Sequence, residues 1–323
     1  MLKKLEVDAL KADLSAVEAM LASFTEDEDP IGWYQFSVRK DEIEQALGDV
    51  MARPLTHAEL GIFFGGRPVQ GSRGINADFA GKALEDIQTL VSVHYSGREF
   101  GPLAQRGPVQ GGDTSQMIVT NIVRGSVGFV LEEAGNNAQL VETPLKEAVD
   151  EVADILSRVG ADDEAMFDEA ATEMDERLLG SLRNFFQRLD VNGATMRVVD
   201  GTRDFLLDRH AIARARQRTQ AMQITESNAE MTGELHVLVD WKKFEFYTEI
   251  AGERQILKGA VSPYVIRQIE GMAEEGQPAI DRRTISQTPW RIEIRTRELR
   301  ERNRAPRQVT TLQRLIRPEP QPT

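Results

Sequence analysis

Cysteine is absent from this chain of 323 residues, which excludes disulfides, thiolate metal sites and cysteine nucleophiles. Histidine is scarce: His57, His94, His210 and His236 are scattered, with no i, i+4 pair to hold a metal. Long apolar runs are missing too, so no segment approaches the ~18 residues needed to cross a bilayer. The opening Met1-Leu2-Lys3-Lys4-Leu5-Glu6 has no uninterrupted apolar core, and Asp8, Lys11 and Asp13 follow at once, so it does not read as a signal peptide. These absences predict a soluble cytoplasmic protein with no membrane partner. Catalytic signatures are equally lacking. There is no phosphate-cradling G-x-x-x-x-G-K-[ST] loop, no G-x-G-x-x-G, no H-E-x-x-H, and no G-x-S-x-G, since Arg124 stands where the first Gly is required before Ser126. No catalytic residue, metal site or cofactor is therefore expected.

What is present is an ordinary globular composition, 41% apolar and 28% charged, with a net charge of −13. The length suits two domains better than one. Charge is segregated. From Arg282 to Arg317 eleven Arg face only Glu293, Glu298 and Glu301, a formal +8. A positive strip on a negative body holds a polyanion, or that body, in one orientation.

The periodicities predict an α+β chain in parts. Over residues 1–54, Val7, Leu10, Leu14, Val17, Leu21 and Phe24 alternate spacings of three and four, the rhythm of a helical seam. Pro30 is expected to break the chain, and a second helix to start near Ser37, giving a helical hairpin or a dimerising coiled-coil arm with Leu10, Leu14, Val17 and Leu21 as the oligomerisation seam. Residues 55–193 read as a mixed α/β domain. Leu60, Ile62 and Phe64 alternate as a strand; Met117–Val123 and Val127–Leu131 form a hairpin turning at Arg124-Gly125. Thr143-Pro144 opens a helix, and further helices around Glu164 to Ala171 and Asp175 to Leu189 stop at Asn192-Gly193. The Gly-rich stretch 97–113 is the least regular internal segment. The acid runs Asp162-Asp163-Glu164 and Asp175-Glu176 read as solvated caps at helix starts.

Residues 194–221 read as a linker with a basic helix carrying Arg214 and Arg216, which extends the Arg strip if the two meet in space. Residues 222–317 turn to strands: Leu235 to Val239, Phe244 to Ile250, Gln255 to Val261, a helix opened by Ser262-Pro263, then strands around Ala279 to Ile285, Trp290 to Leu299 and Val309 to Ile316. Three strands, a helix and further strands resemble the OB-fold, a small Greek-key barrel used for oligonucleotides, oligosaccharides and protein contacts, and an SH3-like barrel or another β-sandwich gives the same string. Residues 318–323 read as a disordered tail. On the strand from Trp290, Arg291, Arg295 and Arg297 face opposite to Ile292 and Ile294, which suits a ridge tracking phosphates or an acidic partner. Arg282, Arg283, Lys242, Lys243 and an exposed Trp290 would join that face. The same pattern also fits a strip paired with acids of its own chain, or one guarding a sheet edge.

Gly71-Ser72-Arg73-Gly74-Ile75 with its following helix, and Arg124-Gly125-Ser126-Val127-Gly128-Phe129-Val130-Leu131-Glu132-Glu133, resemble a pattern in uncharacterised bacterial proteins, some encoded near mobile elements or anti-phage defence genes. The resemblance covers residues 1–160 and implies a bacterial cytoplasmic setting, with no catalytic residue to carry over. The sequence thus points to a non-catalytic interaction or scaffolding subunit with a protein partner or second copy. The alternative is a nucleic-acid-binding adaptor that uses the same Arg face, and the third reading is an enzyme whose site carries no recognised motif.

Overall fold

A computed structural model gives the fold, described here for residues 2–101, 103, 107–123, 127–135, 141–250, 252–271, 280, 285–301 and 304–318. In chain order the elements are α1 (Lys3–Leu21), α2 (Pro30–Ala52), β1 (Glu59–Gly66), β2 (Val69–Gln70), β3 (Gly74–Ile75), α3 (Ala77–Phe100), β4 (Met117–Val123), β5 (Val127–Glu133), α4 (Pro144–Gly160), α5 (Glu164–Glu173) and α6 (Glu176–Val191). There follow β6 (Ala194–Val199), β7 (Asp204–Leu207), α7 (Arg209–Ala221), β8 (Gln223–Leu238), β9 (Lys243–Ile250), β10 (Glu253–Val261), α8 (Pro263–Glu270), β11 (Pro289–Arg300) and β12 (Arg307–Pro318). No described helix is long and apolar enough to cross a membrane.

The chain divides into two compact units, each built from three separated segments. Unit 1 comprises 1–76, 117–153 and 194–208, and unit 2 comprises 77–116, 154–193 and 209–323. These divisions differ from the sequential boundaries read from composition, because strands distant in sequence close one sheet.

In unit 1, α1 and α2 form the expected hairpin, pinned by Glu18–Lys40 (3.1 Å), Glu6–Arg53 (3.2 Å) and the tilted rings of Phe24 and Phe36. Pro30 corrects the expected break. It stands at the first position of α2, where an amide has no helical partner in any case, and Asp29 caps the helix by accepting from the Gly32 N–H at 3.0 Å. The five-stranded sheet runs β4-β5-β1-β6-β7, antiparallel throughout. The segment read as a linker therefore supplies β6 and β7. Its Met196, Val198 and Val199 are buried beside β1. The Arg124-Gly125 turn lies outside the described residues. Thr143 caps α4 as expected, its Oγ1 accepting from the Lys146 N–H at 3.1 Å and donating to Glu133 at 2.6 Å.

Unit 2 contains α3, α5, α6 and α7 and ends in a closed barrel, ordered β10-β12-β11-β8-β9 with β9 returning to β10. Strands β10 and β12 pair parallel, the other neighbours antiparallel, and α8 joins the third strand to the fourth. That arrangement is OB-like, as the strand string implied. Ser262 caps α8 through the Val265 N–H, and Gly271 ends it in the left-handed region. Leu235, Phe244, Phe246, Trp290, Ile292, Ile294 and Leu312 fill the barrel. Of the strand expected around 279–285 only Ile280 and Ile285 are described, neither in a strand, and the tail beyond Pro318 lies outside the described residues.

Candidate interaction surface of the C-terminal barrel

β11 alternates as its sequence predicts. Trp290, Ile292 and Ile294 enter the core, while Arg291, Arg295 and Arg297 leave it. The expected exposed ridge is nonetheless corrected, because the chain between α5 and α6 covers half of that outer face. Arg297 is buried; its Nη1 donates to the Met174 carbonyl and its Nη2 to the Thr172 carbonyl at 2.7 Å and to Thr311 Oγ1 at 3.3 Å. Burial lowers its pKa from the usual guanidinium value, opposed by Glu226 and assisted by the charge of Arg295. Arg295 is also buried, with Nη1 at 3.6 Å from Glu226 and 3.9 Å from Asp175, and neither its Nε nor that of Arg297 meets an acceptor among the described residues. Arg291 alone of the three is substantially exposed, and it pairs with Glu230 at 2.5 Å.

Two further Arg of the strip, Arg304 and Arg307, converge on α5, while Arg300 pairs with Glu298 and Arg314 donates to the Tyr264 hydroxyl. Arg304 reaches Asp168 at 2.8 Å, Glu164 at 3.2 Å and Glu301 at 3.3 Å; Arg307 reaches Glu301 at 2.8 Å and Asp168 at 3.1 Å. Glu301 first and Asp168 second raise the pKa of Arg304. Glu164, Asp168 and Glu301 bring carboxylate oxygens within 4.8 Å of one another, and three guanidiniums, those of Arg304, Arg307 and Arg218, oppose them, so the trio reads as an ion-pair network rather than a cation site. Beside it lies an open cleft of about 1380 Å³ that also includes Arg214, Arg216 and Arg218 of α7. The basic helix and the barrel strip therefore do meet. The α7 cations serve the fold first: Arg214 and Arg218 donate to carbonyls of Gly160 and Ala161 at the end of α4, and Arg216 pairs with Asp190 at 2.5 Å.

Trp290 is corrected as a surface residue. It lies in the barrel core, and its indole N–H meets no acceptor among the described residues. Arg282 and Arg283 lie outside the described residues. Leu10, Leu14, Val17 and Leu21 are half-buried on α1 of the hairpin.

What stays open is the outer face of β9 and β10 with the connection from β8. Trp241 ends that connection and is 76% exposed, next to exposed Lys242 and Lys243; Lys242 takes φ 50°. Leu238 and Ile256 are each more than half exposed. Ile256 pairs in register with Tyr247, whose ring has the Arg254 guanidinium 5.7 Å from its centre and the His236 ring edge-on at 5.6 Å. Tyr247 donates to Glu245 at 2.9 Å, and Lys258 reaches the same carboxylate at 2.7 Å. These two contacts, Lys258 first, hold Glu245 below its ordinary pKa. Leu238, Arg254, Ile256 and Lys258 were missed as surface residues. Their signal was the alternation Arg254, Ile256, Lys258 along a strand of a barrel whose other face is filled.

Comparison with family models, curated proteins and solved structures finds no match for this chain.

Proposed function

We propose that this chain is a non-catalytic interaction subunit of a bacterial cytoplasmic assembly, and that its OB-like barrel docks a protein partner through the outer face of β9 and β10. The observation that carries this reading is Trp241, 76% exposed in the turn between β8 and β9 and flanked by Leu238, Lys242 and Lys243, at one end of the sheet face where OB barrels bind their ligands and on which Ile256 is also exposed. A large exposed indole beside aliphatic groups has the make-up of an interface anchor, and the neighbouring lysines favour a partner with an apolar socket rimmed by carboxylates. Lys243, Arg254 and Lys258 on the face are interleaved with Glu234, Glu245 and Glu249, and the chain carries −13 overall, so no positive field draws in a polyanion. The missing catalytic motifs support a non-enzymatic role. The absence of cysteine suits a reducing compartment, and the resemblance within residues 1–160 supports a bacterial setting beside anti-phage defence genes.

One observation favours a second reading, nucleic-acid binding: Tyr247, bracketed by Arg254 and His236, is a platform on which a base can stack. Photocrosslinking separates the two. Benzoylphenylalanine placed at position 241 should yield a discrete protein adduct that disappears when Lys242→Glu and Lys243→Glu are added. Binding of a fluorescent oligothymidine that weakens steeply with salt and is lost in Tyr247→Ala would establish the second reading and overturn the first.

A further inference from the structure

The sheet of unit 1 has two edges, and they are protected unequally. β7 is four residues long and begins at Asp204, which Arg197 holds through a bidentate pair at 2.5 and 2.7 Å. A short, charged edge is a poor template for another strand. β4, at the opposite edge, is seven residues long and has β5 as its only strand neighbour among the described residues. Its sequence, Met-Ile-Val-Thr-Asn-Ile-Val, contains no charge, no Pro and no Gly, and most of it is β-branched. Ile118 is 49%, Val119 46% and Ile122 60% exposed, whereas Val127 to Leu131 on β5 are all buried. Strands of this composition add to one another, and natural edges normally carry Lys, Pro or a cover against it.

We infer that β4 is a dimerisation edge, pairing antiparallel with β4 of a second copy of this chain about a two-fold axis through Thr120, so that two sheets become one. The second copy is the occupant that the strand itself specifies. About an axis at Thr120, Ile118 faces Ile122 of the second copy, Met117 faces Val123 and Thr120 faces itself, while Val119 faces Asn121. A two-fold interface requires this self-complementarity. The surrounding unit is acidic, with a formal −10, yet no charged side chain lies on β4 to oppose its own image. Val119 pairs with Leu131 but Asn121 with Val130, leaving Thr120 as an extra residue that bulges the strand at its centre and leaves a straight arm of three residues on either side for the second copy to pair with.

This inference concerns unit 1 alone and is independent of the partner proposed for the barrel. Sedimentation of the full chain should show a discrete dimer, and Ile122→Lys or Ile118→Lys should raise its dissociation constant by at least about tenfold, because each substitution acts twice across the axis. In this cysteine-free chain Thr120→Cys should close a disulfide-linked dimer in air, since residues opposed across such a pair lie within disulfide reach. Ile31→Cys, on the exposed surface of α2, should not. If the lysine variants misfold, the Thr120→Cys cross-link decides. A monomer at every concentration, a dimer indifferent to Ile122→Lys, cross-linking at Ile31→Cys but not at Thr120→Cys, or open-ended fibres in place of a closed dimer would each overturn the inference.

Discussion

Three arginines on one face of β11 have three different environments, and the differences follow from what each guanidinium can reach. Arg297 is buried with its Nε unmatched among the described residues, but both of its Nη groups donate, to the Met174 and Thr172 carbonyls at the end of α5. Arg295 is buried with two long ion pairs and an unmatched Nε. Its carboxylate neighbours are provided for without it: Asp175 caps α6 through the Leu178 N–H at 2.7 Å, and Glu226 accepts from the Glu176 N–H at 2.9 Å. Removing a buried charge that makes no good hydrogen bond is often neutral or stabilising, whereas leaving carbonyls unpaired is costly. Arg297→Met should therefore cost about 2–3 kcal/mol, while Arg295→Met should leave stability unchanged or raise it. Urea unfolding followed by the fluorescence of buried Trp290 reads both. Equal losses in the two variants would show that ion pairing, not carbonyl satisfaction, holds β11 against the helices.

At the scale of elements, the barrel turns its corners at two glycines. At Gly233 the long strand β8 leaves its pairing with β11 and takes up β9, for Trp290 opposes Gly233 and Tyr247 opposes Glu234. A Cβ there would lie 2.2 Å from the Tyr247 carbonyl oxygen. At Gly259 β10 passes from β9 towards β12, and a Cβ would lie 2.1 Å from the Thr310 carbonyl oxygen. Backbone cannot yield as a flexible side chain can, so Gly233→Ala and Gly259→Ala should each cost about 3 kcal/mol or prevent closure. Loss of the near-ultraviolet signal of Trp290 would report it, and a variant as stable as the parent would refute the close approach. The same scale shows what the sequence made legible. Local signals were sufficient for the hairpin seam, the Thr143-Pro144 and Ser262-Pro263 helix starts, and the inward Ile292 and Ile294, because capping and alternation act over a few residues. Pro30 misled because one residue type both breaks helices and begins them. β6 and β7 were read as linker because their partners lie far away in sequence. The Arg ridge was misjudged for the same reason: alternation shows which side chains leave a barrel, but not that another segment covers them.

For the whole molecule, segregated charge does not mean an unmatched charge. Unit 1 carries a formal −10 and unit 2 only −3, despite containing the entire Arg strip, because the acids of α5 and the barrel's own glutamates oppose it. The two units should therefore answer salt in opposite senses. In unit 1 like charges dominate: Glu26, Asp27, Glu28 and Asp29 crowd the tip of the hairpin, and screening relieves their repulsion. In unit 2 the shared network of Arg304, Arg307, Glu164, Asp168 and Glu301 is attractive and partly exposed, so the same screening weakens it. Trp33 in α2 reports on unit 1, while Trp241 and Trp290 report on unit 2. Variants retaining only Trp33 or only Trp290 should show, on raising sodium chloride from dilute buffer to several times the physiological level, a higher melting temperature for the first probe and an equal or lower one for the second. Replacing Arg304 and Arg307 by Gln should abolish any salt-induced fall at Trp290 while leaving the rise at Trp33 intact. A parallel rise at both probes would mean that the Arg strip is repelled by its surroundings rather than neutralised by them, and would return it to the list of surfaces awaiting an anionic partner.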